Sequence, residues 1–136
     1  MSTIFQIANA DRNLSSMIRA LKAAGLEETL NGKGPFTILA PINLAFGQME
    51  GAAFEELMKP ENNDQLSVTL SYHILAEKKL LKNFLHGQKL KTISGKELNV
   101  TVKNGAVSIN GAKVLSRDRQ GSNGVVHSID AVNIPS

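Results

Sequence analysis

The chain has no cysteine and no tryptophan, and its 136 residues include one tyrosine and five phenylalanines. Without cysteine there is no disulfide, no thiol nucleophile and no thiolate metal site. Burial alone must hold the fold, and a domain of this length removes about two thirds of its unfolded surface from water. The scarcity of aromatic residues argues against a nucleic-acid surface built on base stacking. No apolar run approaches the roughly 18 residues of a membrane span. Met1-Ser2-Thr3-Ile4-Phe5 lacks a basic stretch followed by a long apolar one, so no leader pattern is visible.

Catalytic patterns are missing too. There is no Gly-x-Ser-x-Gly elbow. Gly32-Lys33-Gly34 runs into Pro35 and an apolar stretch rather than a helix start, which removes a phosphate loop. Of His73, His86 and His127, no two have the i, i+4 spacing of a helical zinc site. His127 and Asp130 lie three apart, on opposite faces of a strand. A buried histidine bonded to backbone is the plainer reading of His73 and His127. The expectation is no enzyme, no metal and no cofactor.

What is present reads as helices first and strands last, hence α+β. Leu14, Met17, Ile18 and Leu21 recur at helical spacing, with Asn13 as candidate cap and Gly25 as stop. Phe36 to Ala40 is a continuous apolar run, expected to be a strand buried on both faces and ended by Pro41. Short helices are expected over 43–49 and 52–58, and another from Gln65 capped by Asp64 that carries Tyr72 and His73. Leu80, Leu81, Phe84 and Leu85 suggest one more. From Lys89 the period becomes two, and Asn104-Gly105 and Asn110-Gly111 are hairpin turns. An antiparallel meander with one buried face follows, then a last strand over 125–132.

Charge is uneven. Residues 1–58 hold four bases and six acids, a net of −2, whereas residues 59–136 hold eleven bases and six acids, a net of +5. Lys78, Lys79, Lys82, Lys89, Lys91 and Lys96 cluster in the chain. The functional reading is a patch for an anionic polymer or membrane surface, and the plain reading is a solvated face. No arginine interleaves it, and Phe84 is the one phenylalanine among its lysines, unlike a nucleic-acid surface. Asn13-Leu14-Ser15 and Asn99-Val100-Thr101 match the N-glycosylation pattern.

Three segments carry a resemblance. Phe36-Thr37-Ile38-Leu39-Ala40-Pro41-Ile42-Asn43-Leu44-Ala45-Phe46, the segment around Tyr72-His73, and Asn123-Gly124-Val125-Val126-His127-Ser128-Ile129-Asp130 resemble, in order, the motifs of the fasciclin domain. The resemblance covers nearly the whole chain, read as one domain over 1–136 and similar to single-module microbial members. It implies a wedge-like β-sandwich with helices covering one side. Thr37, Pro41, Asn43, Gly124, His127 and Asp130 would be structural motif positions.

The resemblance further implies a binding module for cell adhesion, with a protein or polysaccharide partner at a cell surface or matrix. Its setting would be the envelope, periplasm or extracellular space; the missing leader pattern leaves the cytoplasm open. Some animal members engage integrins through an Asp-Ile pair and the Tyr-His region. The aligned pair here is Asp118-Arg119, preceded by Ser116-Arg117, so integrin recognition does not carry over. Candidate partner-binding residues are Tyr72, His73, Asp118, Arg119, Lys78, Lys79 and Lys82. In the first motif Ile42 and Leu44 replace a threonine and an acidic residue. An apolar surface there, with Met49, would suit the alternative of a carrier for a pigment or lipid.

Overall fold

A computed structural model describes residues 2–49, 53–116 and 118–133. Its helices are α1 (Ile4–Asn9), α2 (Ser15–Ala23), α3 (Glu27–Leu30), α4 (Asn43–Gly47), α5 (Ala53–Leu57) and α6 (Asn63–Ser71). The strands are β1 (Phe36–Pro41), β2 (Ile74–Leu75), β3 (Lys89–Lys91), β4 (Glu97–Lys103), β5 (Ala106–Ile109), β6 (Ala112–Lys113), β7 (Arg119–Gly121) and β8 (Gly124–Ile129). They form two four-stranded sheets, ordered β2-β1-β8-β7 and β3-β4-β5-β6. Single bridges, Leu75 to Thr92 and Val114 to Ile129, join them at two corners. The result is an α+β wedge-like sandwich with helices on one side.

The seam of the molecule is the parallel pair β1–β8, in register from Phe36 opposite Gly124 to Pro41 opposite Ile129. Both faces of this seam are covered, which is why β1 reads as an unbroken apolar run. Ile38, Ala40 and Val126 face a core built from α1, α2, α4 and α6. Leu39 and Ile129 face a second core with Phe84, Leu90, Leu98, Val100, Val107 and Ile109 from the other sheet. Pro41 closes β1, where its missing N–H costs no ladder bond.

Close approach sets the seam's entry. Gly124 has φ 156°, and a Cβ there would collide with the Phe36 carbonyl oxygen. Beside it, buried Asn123 ties three segments together. Its Oδ1 accepts the Ile4 N–H at 2.9 Å, and its Nδ2 donates to the Leu30 and Gly32 carbonyls at 2.8 Å each. Its backbone carbonyl accepts the Phe36 N–H.

The α2 stripe Leu14, Met17, Ile18 and Leu21 is buried as its spacing predicts. The cap differs from expectation. Asn13 caps nothing; Asp11 accepts the Asn13 N–H, while Asn43, from the start of α4, accepts the Ser16 N–H at 2.8 Å. Asn43 also donates to the Arg12 carbonyl and Ser15 Oγ. The cap of α2 is therefore supplied 27 residues downstream. Likewise α6 starts at Asn63, so Asp64 sits inside its first turn rather than capping it. The helix expected around Leu80–Leu85 is one 3-10 turn, Leu81–Asn83: Phe84 is buried but Leu85 is exposed, so no continuous apolar stripe forms. The helix expected over 52–58 is α5, Ala53–Leu57, and residue 52 lies outside the described residues.

Both hairpin turns form where expected, with Asn104 and Asn110 at φ 52° and 51°. They set the β4–β5 and β5–β6 registers, Val102 opposite Val107 and Ile109 opposite Ala112. The last strand is shorter than read, ending at Ile129.

Replacing Asn123 strips buried partners from one N–H and two carbonyls. Asn123→Ala should lower unfolding free energy by roughly 2–4 kcal/mol. Urea denaturation checks this, and a loss within error of zero would show that water replaces the side chain.

Candidate functional site

The polar residues that motif reading singles out are already engaged by the fold. Thr37 on β1 is fully buried; its hydroxyl donates to the Glu77 carbonyl at 2.6 Å and accepts the Lys79 N–H at 2.8 Å. Asp130 follows β8, and its Oδ1 accepts the Lys113 N–H at 2.8 Å, joining the end of one sheet to the other. Ser128 Oγ donates to Ser116 Oγ and accepts the Ser116 N–H.

His73 lies beyond the C-cap of α6, which is Tyr72, and not within the helix as its apolar neighbours suggested. Its Nδ1 meets the Thr69 carbonyl at 2.8 Å, and its Nε2 meets the Asn133 N–H at 3.0 Å. A carbonyl only accepts and an N–H only donates, so the ring is neutral with its proton on Nδ1. Burial lowers its pKa from 6.5 to about 4, against a smaller opposing effect of the Thr69 carbonyl.

His127 on β8 is arranged the other way round. Nε2–H donates to the Lys79 carbonyl at 2.7 Å, and Nδ1 accepts the Asp118 N–H at 3.1 Å. Phe84 packs edge-on, with ring centroids 5.5 Å apart. Burial lowers this pKa too, opposed by the Lys79 carbonyl and the Asp118 charge. Asp118, at φ 56°, also accepts the Leu81 N–H through Oδ1. Thr37, His127 and Asp118 thus pin the 77–81 segment against the seam.

The candidate partner-binding residues separate on this framework. Tyr72 and His73, expected at a binding surface, are 7% and 1% exposed. The Tyr72 hydroxyl donates to the Glu97 carbonyl and accepts Asn110 Nδ2, so it fastens α6 to the β4–β5 hairpin. Asp118 is exposed, and Arg119 on β7 pairs with Asp11 at 2.8 Å. Lys78 reaches Gln120 at 2.7 Å, Lys79 is half-buried and 3.8 Å from Glu77, and Lys82 is exposed.

The lysine cluster divides. Lys78, Lys79 and Lys82 belong to the loop against β7 and β8, whereas Lys89 and Lys91 point outward from β3. Lys103 and Lys113, which sequence reading left out of the cluster, share that outward side. The period-two phase of β4 carried that signal, since Lys103 keeps step with Glu97, Asn99 and Thr101. The second sequon places exposed Asn99 and Thr101 there too.

A cavity of about 600 Å³ opens beside α4, α5 and α6; Ala45, Met49, Leu57, Ala131 and Val132 form an apolar part of its wall, and Gln48, Glu56, Asn62, Gln65 and Thr69 form a polar part. Ile42 and Leu44, expected to share a groove with Met49, line a separate cleft with Leu115. Among the described residues no three His, Cys, Asp or Glu side chains group for a metal, and no helix is long and apolar enough to cross a membrane.

This is the architecture of a fasciclin domain. A family model described as Fasciclin domain matches residues 12–135, and the chain belongs to that family. A Synechocystis protein, sll1483, is 39% identical over 98% of this chain and 73% of its own length. The pig transforming growth factor-beta-induced protein ig-h3 is 33% identical over 99% of this chain, which spans 20% of it. The FAS1 domain pair from the insect cell adhesion molecule Fasciclin I superposes with TM-score 0.87 at 18% identity, over 98% of this chain and 51% of that one. The last likeness concerns fold alone.

Two neutral histidines make stability pH-dependent with a definite sign. The unfolded chain takes up a proton near pH 6.5 and the folded His73 only near 4. Stability is complete above pH 6.5 and falls as the pH drops through that window, by on the order of 3 kcal/mol from His73. His127 acts in the same direction. Chemical denaturation across pH 7 to 4 should show a steeper loss for the native chain than for His73→Gln; equal slopes would contradict the buried neutral ring.

Proposed function

We propose that this chain is a non-enzymatic adhesion module that attaches to protein or polysaccharide of a cell envelope or extracellular matrix. One observation carries the reading: the histidines, serine and aspartate of the motif segments, from which an acid–base or nucleophilic site would be assembled there, are spent on structure. His127, Ser128, Asp130 and His73 each bond to backbone of a segment distant in the chain. No pair among them forms the base-to-nucleophile contact that covalent catalysis needs. Membership of the fasciclin family supports adhesion, and the altered Asp118-Arg119 pair and buried Tyr72 and His73 argue against integrin as partner.

The whole chain, incubated with envelope and extracellular material of its own source, should be retained there and released by salt. Retention no greater than that of a neutral protein of similar size would contradict the reading. His127→Gln should lower stability before it alters retention.

A carrier of an apolar pigment or lipid is the second reading, and the cavity beside Met49 favours it. Its size and the apolar part of its wall suit a small ligand. Protein purified from its own source with visible absorbance or extractable lipid would support the carrier, and Met49→Glu should then abolish loading. A colourless, lipid-free preparation would contradict it.

A further inference from the structure

The second sheet has one face in the core and one in water. Leu90, Leu98, Val100, Val107, Ile109 and Ala112 point inward. The alternate positions point outward, and the registers place them. Lys91 stands opposite Glu97, Lys89 opposite Asn99, Thr101 opposite Ser108, Ser108 opposite Lys113, and Lys103 opposite Ala106. With strands about 4.8 Å apart and alternate residues about 6.8 Å apart, four lysines surround an area of roughly 14 by 20 Å.

The charge of this lobe is one-sided. Residues 89–113, which build the second sheet, hold five lysines and one carboxylate, Glu97, a net of +4 in a chain of net +3; the rest carries −1. Among the described residues, Lys89, Lys91, Lys103 and Lys113 take part in no ion pair, whereas Lys59 and Lys79 do. Like charges gathered on one surface around a single carboxylate repel, and a partner of opposite sign relieves that repulsion.

We propose that this outer face is the docking surface of the adhesion module and that its partner is an acidic polysaccharide. The proposal rests on the adhesion reading and names the face and the chemistry. Lysines at the margin meet the polymer's acidic groups. Asn99, Thr101 and Ser108 in the middle offer amide and hydroxyl groups to sugar hydroxyls. The centre holds no aromatic or large aliphatic anchor of the kind that dominates protein interfaces. Among the described residues, none of the exposed large hydrophobic residues, Leu44, Val68, Leu85, Ile93 and Leu115, stands at an outward strand position of β3 to β6, so those positions offer no large apolar side chain to a bilayer. Arginine and stacking rings, which mark nucleic-acid surfaces, are absent from it.

The test measures binding of the whole chain to immobilised polygalacturonate at low salt, with neutral dextran, phosphatidylglycerol-containing vesicles and duplex DNA beside it. The native chain should bind polygalacturonate in preference to the other three and release it as salt rises. Converting Lys89, Lys91, Lys103 and Lys113 together to Gln should weaken binding about tenfold or more. Lys22→Gln with Lys33→Gln, on the helical side, should leave it unchanged. Glu97→Gln should tighten binding by removing the face's one carboxylate, a gain that misfolding does not mimic. Thermal unfolding of each variant accompanies the measurement.

Equal loss in the Lys22 and Lys33 set, loss only on changing Lys78 and Lys82, or stronger binding to vesicles or DNA would each overturn the proposal. If the native chain adheres to envelope material but not to polygalacturonate, this face falls and the adhesion reading stands. If it adheres to neither, both fall.

Discussion

Everything in this molecule leans on the parallel pairing of β1 with β8. The two strands are 88 residues apart in the chain at their first paired residues, Phe36 and Gly124, so the pair closes a very long loop. Such a contact costs chain entropy before it returns anything. It is repaid because both faces of the pair are buried, one under the helices and one under the second sheet. Gly124 lets the two backbones meet, and Asn123 locks the entry by binding α1, α3 and the turn before β1 at once.

Function follows from where that arrangement leaves polar groups. A buried donor or acceptor must find a partner, and here the partners are mostly backbone atoms of other elements. Thr37, His73, His127 and Asp130 are stitches between segments that have no ladder of their own. A histidine held between a carbonyl and an N–H has no lone pair left for a substrate. What this leaves in contact with water includes the loop over β7 and β8, the outer face of the second sheet and the cavity beside Met49.

Features set by neighbouring residues were legible in the sequence. The α2 stripe, the doubly buried β1 and both Asn-Gly hairpins rest on local spacing and turn chemistry. Features set by distant residues were not. The cap of α2 comes from Asn43 rather than nearby Asn13, because position in space decides which amide reaches the free N–H. The two-residue strands β2 and β6 are too short to show a period. His73 was legible as a buried histidine bonded to backbone, but Tyr72 and His73 also looked helical and, by resemblance, open to a partner, whereas the chain leaves the helix at Tyr72 and turns both rings inward. Lys103 and Lys113 escaped notice because they join Lys89 and Lys91 only once the hairpin registers are known.

Native-state hydrogen exchange, read amide by amide, tests the central claim most directly. If the β1–β8 seam is the constraint on which the rest depends, the amides of Ile38 to Ala40 and Val125 to His127 should exchange only through global unfolding, with the largest opening free energy in the chain. The β4–β5 hairpin should open at lower cost. Seam amides that exchange faster than those of β4 and β5 would show that the second sheet, and not the parallel pair, holds the fold together.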